Sequence, residues 1–185
     1  MSYADRVERL SKALRPITDE QNANAAVAML LKPVNHGLKT LFVKRVENLA
    51  DPWSGQMAFP GGKREGPDAN LMETVVRETL EETGINLLDR CHFLGVLTAQ
   101  SSRPRPDVKV LPFVILLEHE PLIQLSPKEL KEFVWISLDE ILKHRGSARL
   151  SFGGEVPAYV ISNIIIWGLT YRALEDFLEI FKHMN

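Results

Sequence analysis

Glu78, Glu81 and Glu82 lie three and four positions apart in the stretch LMETVVRETLEETG, Leu71 to Gly84, a spacing that sets them on one arc of a helix. Leu71, Met72, Val75, Val76, Thr79 and Leu80 occupy the other half of the same wheel. Like charges so placed repel by roughly a few tenths of a kcal/mol per pair. Arg77 can offset part of this by hydrogen-bonding a neighbouring carboxylate. A hard divalent cation offsets more, because Mg²⁺ takes carboxylate oxygens together with phosphate oxygens and water. Three glutamates on one face are equally the pattern of a solvated surface. The flanking residues favour chemistry: Pro60-Gly61-Gly62 permits close backbone approach, and Gly84 tolerates a left-handed helix cap. Such a loop and helix set several carboxylates beside exposed backbone, which suits a metal-assisted phosphate site.

A second cluster, Arg103, Arg105 and Lys109, has only Asp107 as an immediate acidic neighbour. It reads either as a phosphate grip or as a solvated loop. His36, His92, His119, His144 and His183 show no ligand spacing, and Cys91 reads as a small buried hydrophobe. Trp53, Phe59 and Trp167 read as core or loop anchors before base-stacking platforms.

The elements that must position these residues follow from periodicity. Ala4, Val7, Leu10 and Leu14 predict an amphipathic helix over about 4–14. Ala25 to Leu31 and Leu38 to Lys44 predict a hairpin across Pro33-Val34-Asn35-His36-Gly37. Arg45 through Gly62 is a long loop, a length usually reserved for function. A helix over Leu71 to Thr83 is followed by strands at Phe93–Thr98, Val110–Leu117 and Phe133–Ile136, and by a helix near Leu138–His144. Phe152-Gly153-Gly154 reads as a turn before a last helix over about 163–181. The expected class is α+β, sheets with helices packed against them, in a single domain spanning 1–185.

Composition narrows the function classes. With 45% hydrophobic and 25% charged residues over 185, the chain can bury a core unaided by metal or disulfide. One cysteine makes no internal bridge and suits a reducing compartment. No apolar run approaches the ~20 residues of a membrane span, and Asp5, Arg6, Glu8 and Arg9 are not the start of a signal peptide. Twenty-two basic against twenty-four acidic residues give no global pull towards nucleic acid. A soluble cytoplasmic protein is expected.

Gly62 to Ile85, GKREGPDANLMETVVRETLEETGI, resembles the signature of the Nudix hydrolases. Arg77 to Ile85 matches its second half almost residue for residue, with Thr79 where an aliphatic residue is usual. The first half comes into register with one extra residue between Gly62 and Arg77, which puts Asp68 in the acidic place. Gly55 to Gly62, ending Phe-Pro-Gly-Gly, together with Leu41 to Arg45, is similar to the coenzyme A diphosphatase-like subgroup. That subgroup's histidine two positions before Gly55 is Trp53 here. Glu129-Leu130, the segment Phe133 to Leu138, and Ile166 to Thr170 with Arg172 resemble later parts of the same proteins.

The resemblance implies the Nudix fold, a mixed β-sheet sandwich flanked by helices. It also implies hydrolysis of a diphosphate in a nucleoside diphosphate conjugate, coenzyme A or a derivative among them. Dinucleotides, ADP-ribose, nucleoside triphosphates or a catalytically silent nucleotide-binding domain are the alternatives. By the same analogy Glu78, Glu81 and Glu82 ligate Mg²⁺ or Mn²⁺, and Arg77 orients them. Glu129 is the general-base candidate from a distant loop, beside Glu78 and Glu82. Arg45, Phe59, Gly61, Gly62, Arg103 and Arg105 are candidate substrate contacts. The last helix, apolar around nearly its whole wheel from Ile164 to Phe181, either covers the first helix or enters a subunit interface. The resemblance favours a homodimer.

Overall fold

The computed structural model describes residues 3–35, 37–48, 54–150 and 153–183. In chain order the elements are α1 (Tyr3–Ala13), β1 (Ala25–Val34), β2 (Gly37–Arg45), β3 (Met57–Ala58), β4 (Gly61–Lys63), α2 (Leu71–Thr83), β5 (Cys91–Val96) and β6 (Gln100–Ser101). They continue with β7 (Lys109–Leu117), β8 (Leu130–Ser137), α3 (Leu138–Lys143), β9 (Arg145–Arg149), β10 (Glu155–Ile161), β11 (Ile164–Trp167) and α4 (Gly168–Lys182).

The main sheet runs β3-β2-β1-β7-β5, with β4 also on β1, β6 on β7 and β8 on β2. It is mixed: β1 and β7 are parallel, from Ala25↔Val110 to Leu31↔Leu116, and its other pairs are antiparallel. Alternation along β1 divides the core. Ala26, Ala28 and Leu30 face Leu71 and Val75 of α2. Met29 and Leu31 face the opposite way, into a cluster with Leu10 of α1 and Leu174, Phe177 and Leu178 of α4. The sheet thus has α2 on one side and α1, α4 and a small second sheet, β11-β10-β9, on the other. The expected class, α+β with a mixed sheet flanked by helices, is what the chain adopts.

Three departures matter. The long loop of residues 45–62 carries two short strands, and β4 seats the Gly-Gly pair against β1, with Gly61 opposite Val27 and Gly62 opposite Ala26. The last helix begins at Gly168, not near 163. Ile164 to Trp167 pair with Ala158 to Ile161 as β11, turning at Ser162, whose φ is 54°. Three consecutive isoleucines suit a strand better than a helix turn, and their wheel positions carry no meaning in that conformation. The β9–β10 pair was missed because Arg145 to Arg149 is mostly polar and exposed. Trp53 and His36 lie outside the described residues.

The helix α4 spends its apolar face inside the chain. Leu174, Phe177 and Leu178 are buried, and Phe181 stacks on Phe177 with ring centroids 5.9 Å apart. Val7 of α1 packs against the same cluster. The apolar wheel that suggested a subunit interface is therefore accounted for by contacts within one chain.

Candidate active site

The helix α2 is fastened at both ends. Asn70 accepts a hydrogen bond from the Glu73 amide at 2.9 Å, and Gly84, at φ 74°, closes the helix by donating to the Leu80 carbonyl. Before it, Asp68 is buried and receives Arg77 through Nε at 3.1 Å and Nη2 at 2.9 Å, with the Thr74 hydroxyl at 2.9 Å and the Glu65 amide at 3.0 Å. Those donors, the Arg77 guanidinium first, hold the Asp68 carboxyl well below the usual carboxylate range. The same arginine gives Nη1 to Glu78 at 2.9 Å and Nη2 to the Lys63 carbonyl at 3.2 Å. Arg77 thus ties the β4–α2 loop to the glutamate face.

The glycines are needed for contact. A Cβ on Gly61, at φ 144°, would lie 2.2 Å from the Ala26 carbonyl oxygen. One on Gly62 would lie 2.4 Å from the Glu78 carboxyl carbon. The Gly61 amide donates to Glu82 Oε2 at 2.8 Å, so the loop holds one carboxylate and leaves space for another.

Glu78 and Glu82 face a cavity of about 340 Å³ whose polar wall also includes Arg45, Gly61, Gly62 and Glu129. Its apolar wall is formed by Val27, Val108, Val110 and Leu169. Glu129 is brought there by a segment strapped over the end of α2: the Gln124 and Ser126 amides donate to the carbonyls of Thr83 and Glu82, and the Glu129 carbonyl accepts from Val46. Arg45 Nη1 stands 3.8 Å from Glu82 Oε1.

Burial pushes the Glu82 carboxyl up to about 7, against the opposing pull of the Gly61 amide and Arg45. Glu78 is raised as well, chiefly by burial. The charges of Glu78 and Glu129 add to the effect on Glu82.

The expected residues do not all converge. Glu81 is exposed and not in the cavity wall, with Arg77 Nη1 at 3.4 Å. Among the described residues no group of three acidic, histidine or cysteine side chains stands at metal-ligating range. The donor chemistry nevertheless fits a hard divalent cation: Glu78, Glu82 and Glu129 are all-oxygen donors sharing one cavity, where burial first and neighbouring carboxylate charges second raise the pKa of Glu78 and Glu82. Phe59 is buried in the cavity wall and stacks on Phe42 at 5.3 Å. Arg105 is paired with Asp107 through Nε at 3.0 Å and Nη2 at 2.8 Å, and neither it nor Arg103 lines the cavity. Gln56, Lys63 and Thr170 do line it and were missed. A polar residue in a loop or at a helix start carries no signal in sequence of where its side chain opens.

An α+β sheet sandwich with a Gly-Gly loop and a glutamate helix at the wall of a cavity is the arrangement that the resemblance to the Nudix proteins implies. Residues 22–151 match the family model of the NUDIX domain, and the chain belongs to the Nudix family of metal-dependent hydrolases. It is 34% identical over 146 residues to the peroxisomal coenzyme A diphosphatase ndx-8 of Caenorhabditis elegans, covering 77% of this chain and 61% of that protein. The mitochondrial coenzyme A diphosphatase NUDT8 of Mus musculus is 28% identical, over 96% of this chain and 88% of the relative. Against an uncharacterized protein of Schizosaccharomyces pombe, 33% identical, the match covers only 35% of the longer partner. The Shewanella oneidensis NrtR NUDIX domain, solved with ADP ribose, shares the fold with a TM-score of 0.57 and 16% identity over 98% of this chain and 99% of that one. The Nudix hydrolase RenU of M. Smegmatis does so with a TM-score of 0.58 at 13% identity, over 88% of each chain.

Proposed function

We propose that this chain is a divalent-metal-dependent pyrophosphohydrolase that cleaves the diphosphate of a coenzyme A-type nucleotide conjugate. The observation that carries the reading is the meeting of Glu78, Glu82, Glu129 and Arg45 on one wall of a cavity whose other wall is apolar. An arginine among carboxylates suits a diphosphate bridged to them by a cation, and the apolar wall suits a nucleoside. Similarity to proteins named coenzyme A diphosphatases supports the choice of substrate.

In this reading Glu78 and Glu82 hold Mg²⁺ or Mn²⁺, with Glu81 able to join them by turning from Arg77. When bound, the cation neutralises diphosphate oxygens and acidifies water. Arg45 holds a phosphate oxygen, Gly61 and Gly62 let the diphosphate approach the backbone, and Arg77 orients the carboxylates. Glu129 accepts the proton of the attacking water. One water is added, one P–O–P bond breaks, and two phosphomonoesters leave.

A substrate panel tests this directly, with coenzyme A, NADH, ADP-ribose, dinucleoside polyphosphates and nucleoside triphosphates, each with Mg²⁺ or Mn²⁺. Coenzyme A should yield adenosine 3′,5′-bisphosphate and 4′-phosphopantetheine at the highest kcat/KM. Preference for another member of the panel would reassign the substrate, and no metal-dependent turnover of any member would reject the enzyme.

A further inference from the structure

Arg172 lies on α4 one turn beyond Leu169, which belongs to the cavity wall. Its Nε donates to Gln100 Oε1 at 3.1 Å and its Nη2 to the Ser101 carbonyl at 2.7 Å. These contacts fix the guanidinium on β6, where Gln100 stands opposite Val110, itself part of the same wall. Arg103 follows two residues after Ser101 and is exposed.

Other arginines of the region are neutralised: Arg77 by Asp68 and Glu78, Arg105 by Asp107. Neither Arg103 nor Arg172 meets a carboxylate among the described residues; Arg172 bonds only to an amide and a carbonyl oxygen. Burial first, and the charge of Arg103 second, draw the half-buried Arg172 guanidinium below its ordinary pKa. The two cations are therefore near enough to repel, and no ion pair among the described residues relieves it.

Their place in the sheet separates them from the carboxylates. The strand β4, where Gly61 meets Glu82, and β6, where Arg172 is anchored, are spaced by β1 and β7. Three strand spacings amount to roughly 14 Å between backbones.

We infer that Arg103 and Arg172, which stand outside the cavity wall beside its Val110 and Leu169 edge, form a second anion site, which takes a phosphomonoester carried on the ribose of the bound nucleotide. The inference rests on the proposed reading of the cavity, in which the diphosphate occupies the carboxylate end. A group at the far end must then be a different anion. A phosphomonoester is near-dianionic at neutral pH, and its oxygens match the donor fork of a guanidinium. Arg103 and Arg172 would select nucleotides that bear this second phosphoryl group over those that lack it.

Calorimetric titration with adenosine 3′,5′-bisphosphate and with AMP tests the site without turnover. The wild-type protein should bind the bisphosphate at least ~10-fold more tightly. In Arg103→Gln that ratio should fall towards one. Arg103 has no hydrogen-bond or ion-pair partner to lose among the described residues, so its variant should melt at the wild-type temperature. Arg172→Lys keeps the charge but loses the fork, and should lower the ratio in part.

The kinetic counterpart is the ratio of kcat/KM for coenzyme A to that for 3′-dephospho-coenzyme A, which should fall in the same variants. Equal affinities for bisphosphate and AMP in the wild type, or a ratio unmoved by Arg103→Gln, would overturn the site. If both coenzyme A forms are hydrolysed equally and the bisphosphate binds no better than AMP, the anion site fails and the enzyme stands. If neither form is hydrolysed yet the bisphosphate preference holds and disappears in Arg103→Gln, the anion site stands and the substrate reading fails.

Discussion

At the residue scale, Glu82 is a carboxylate with less compensation than its burial calls for. It is 2% exposed and has one amide at 2.8 Å and a guanidinium at 3.8 Å. Its folded pKa, about 7, stands above the ordinary glutamate value of 4.5. A raised pKa means that the folded state binds the proton more tightly than the unfolded chain. The associated stability is therefore complete below about 4.5 and is lost as pH rises through about 7. The full difference is on the order of 3 kcal/mol. Metal-free protein in a chelator should melt lower at pH 8 than at pH 5, and Glu82→Gln should flatten much of that slope. The same variant should lose at least ~10² in metal-dependent turnover while remaining folded, as loss of a charge that helps hold the cation predicts. Near-wild-type turnover at saturating metal would remove Glu82 from the ligand set. Thr79 is a simpler case. It is fully buried, and its hydroxyl has no hydrogen-bond partner among the described residues. Thr79→Val should raise stability by about 1 kcal/mol in a denaturant titration, because it removes an unmatched polar group at almost constant volume.

At the element scale, the segment from β4 to α2 works as a unit because its polar groups close on Asp68. Asp68→Asn would leave the Arg77 guanidinium facing a neutral amide in a site that is 5% exposed on the aspartate side. A loss of about 3 kcal/mol is expected, measurable by chemical denaturation at pH 7. Because the Asp68 pKa is depressed, the stability it contributes is present above its ordinary range and is lost as pH falls through the folded value. The wild-type and Asp68→Asn proteins should therefore converge in strong acid. The two loop glycines should separate into different phenotypes. Gly61→Ala drives a Cβ to 2.2 Å from a backbone oxygen that cannot yield, so folding should suffer. Gly62→Ala meets the end of the flexible Glu78 side chain, so the protein should fold while Glu78 is displaced and turnover falls. A Gly62→Ala enzyme with unchanged kinetics would show that Glu78 does not need its present position.

For the whole molecule, α4 joins two parts of the structure. Its inner face closes the core with α1, while Leu169 and Thr170 reach the cavity. A homodimer would have to use other surface than Leu174, Phe177 and Leu178, which the chain already covers. The exposed large apolar residues Val34, Leu80, Leu88, Leu122 and Phe133 belong to different segments of the chain. Sedimentation velocity over a concentration series decides the matter. A species of twice 20.9 kDa would support the dimer, and a single species of 20.9 kDa throughout would end it.

The sequence by itself determined the elements whose information is local. The helix Leu71–Thr83, with Gly84 as its cap, is legible to the residue because apolar periodicity, acidic face and cap all lie within fourteen positions. The hairpin of β1 and β2 was legible for the same reason, and so were the candidate carboxylates. Tertiary structure decided which of those carboxylates share a cavity. Glu81 differs from Glu82 by one position and 100° of helix, and that rotation alone leaves one exposed beside Arg77 and sets the other against Gly61. It also decided the conformation of Ile164 to Trp167, since a short apolar run fits helix or strand until a partner such as β10 supplies its hydrogen bonds. The anchoring of Arg172 on Gln100 and Ser101, and the sheet that sets β6 apart from β4, depend on contacts about seventy residues apart in the chain. No local pattern encodes such a distance; it exists only once β1 and β7 lie side by side.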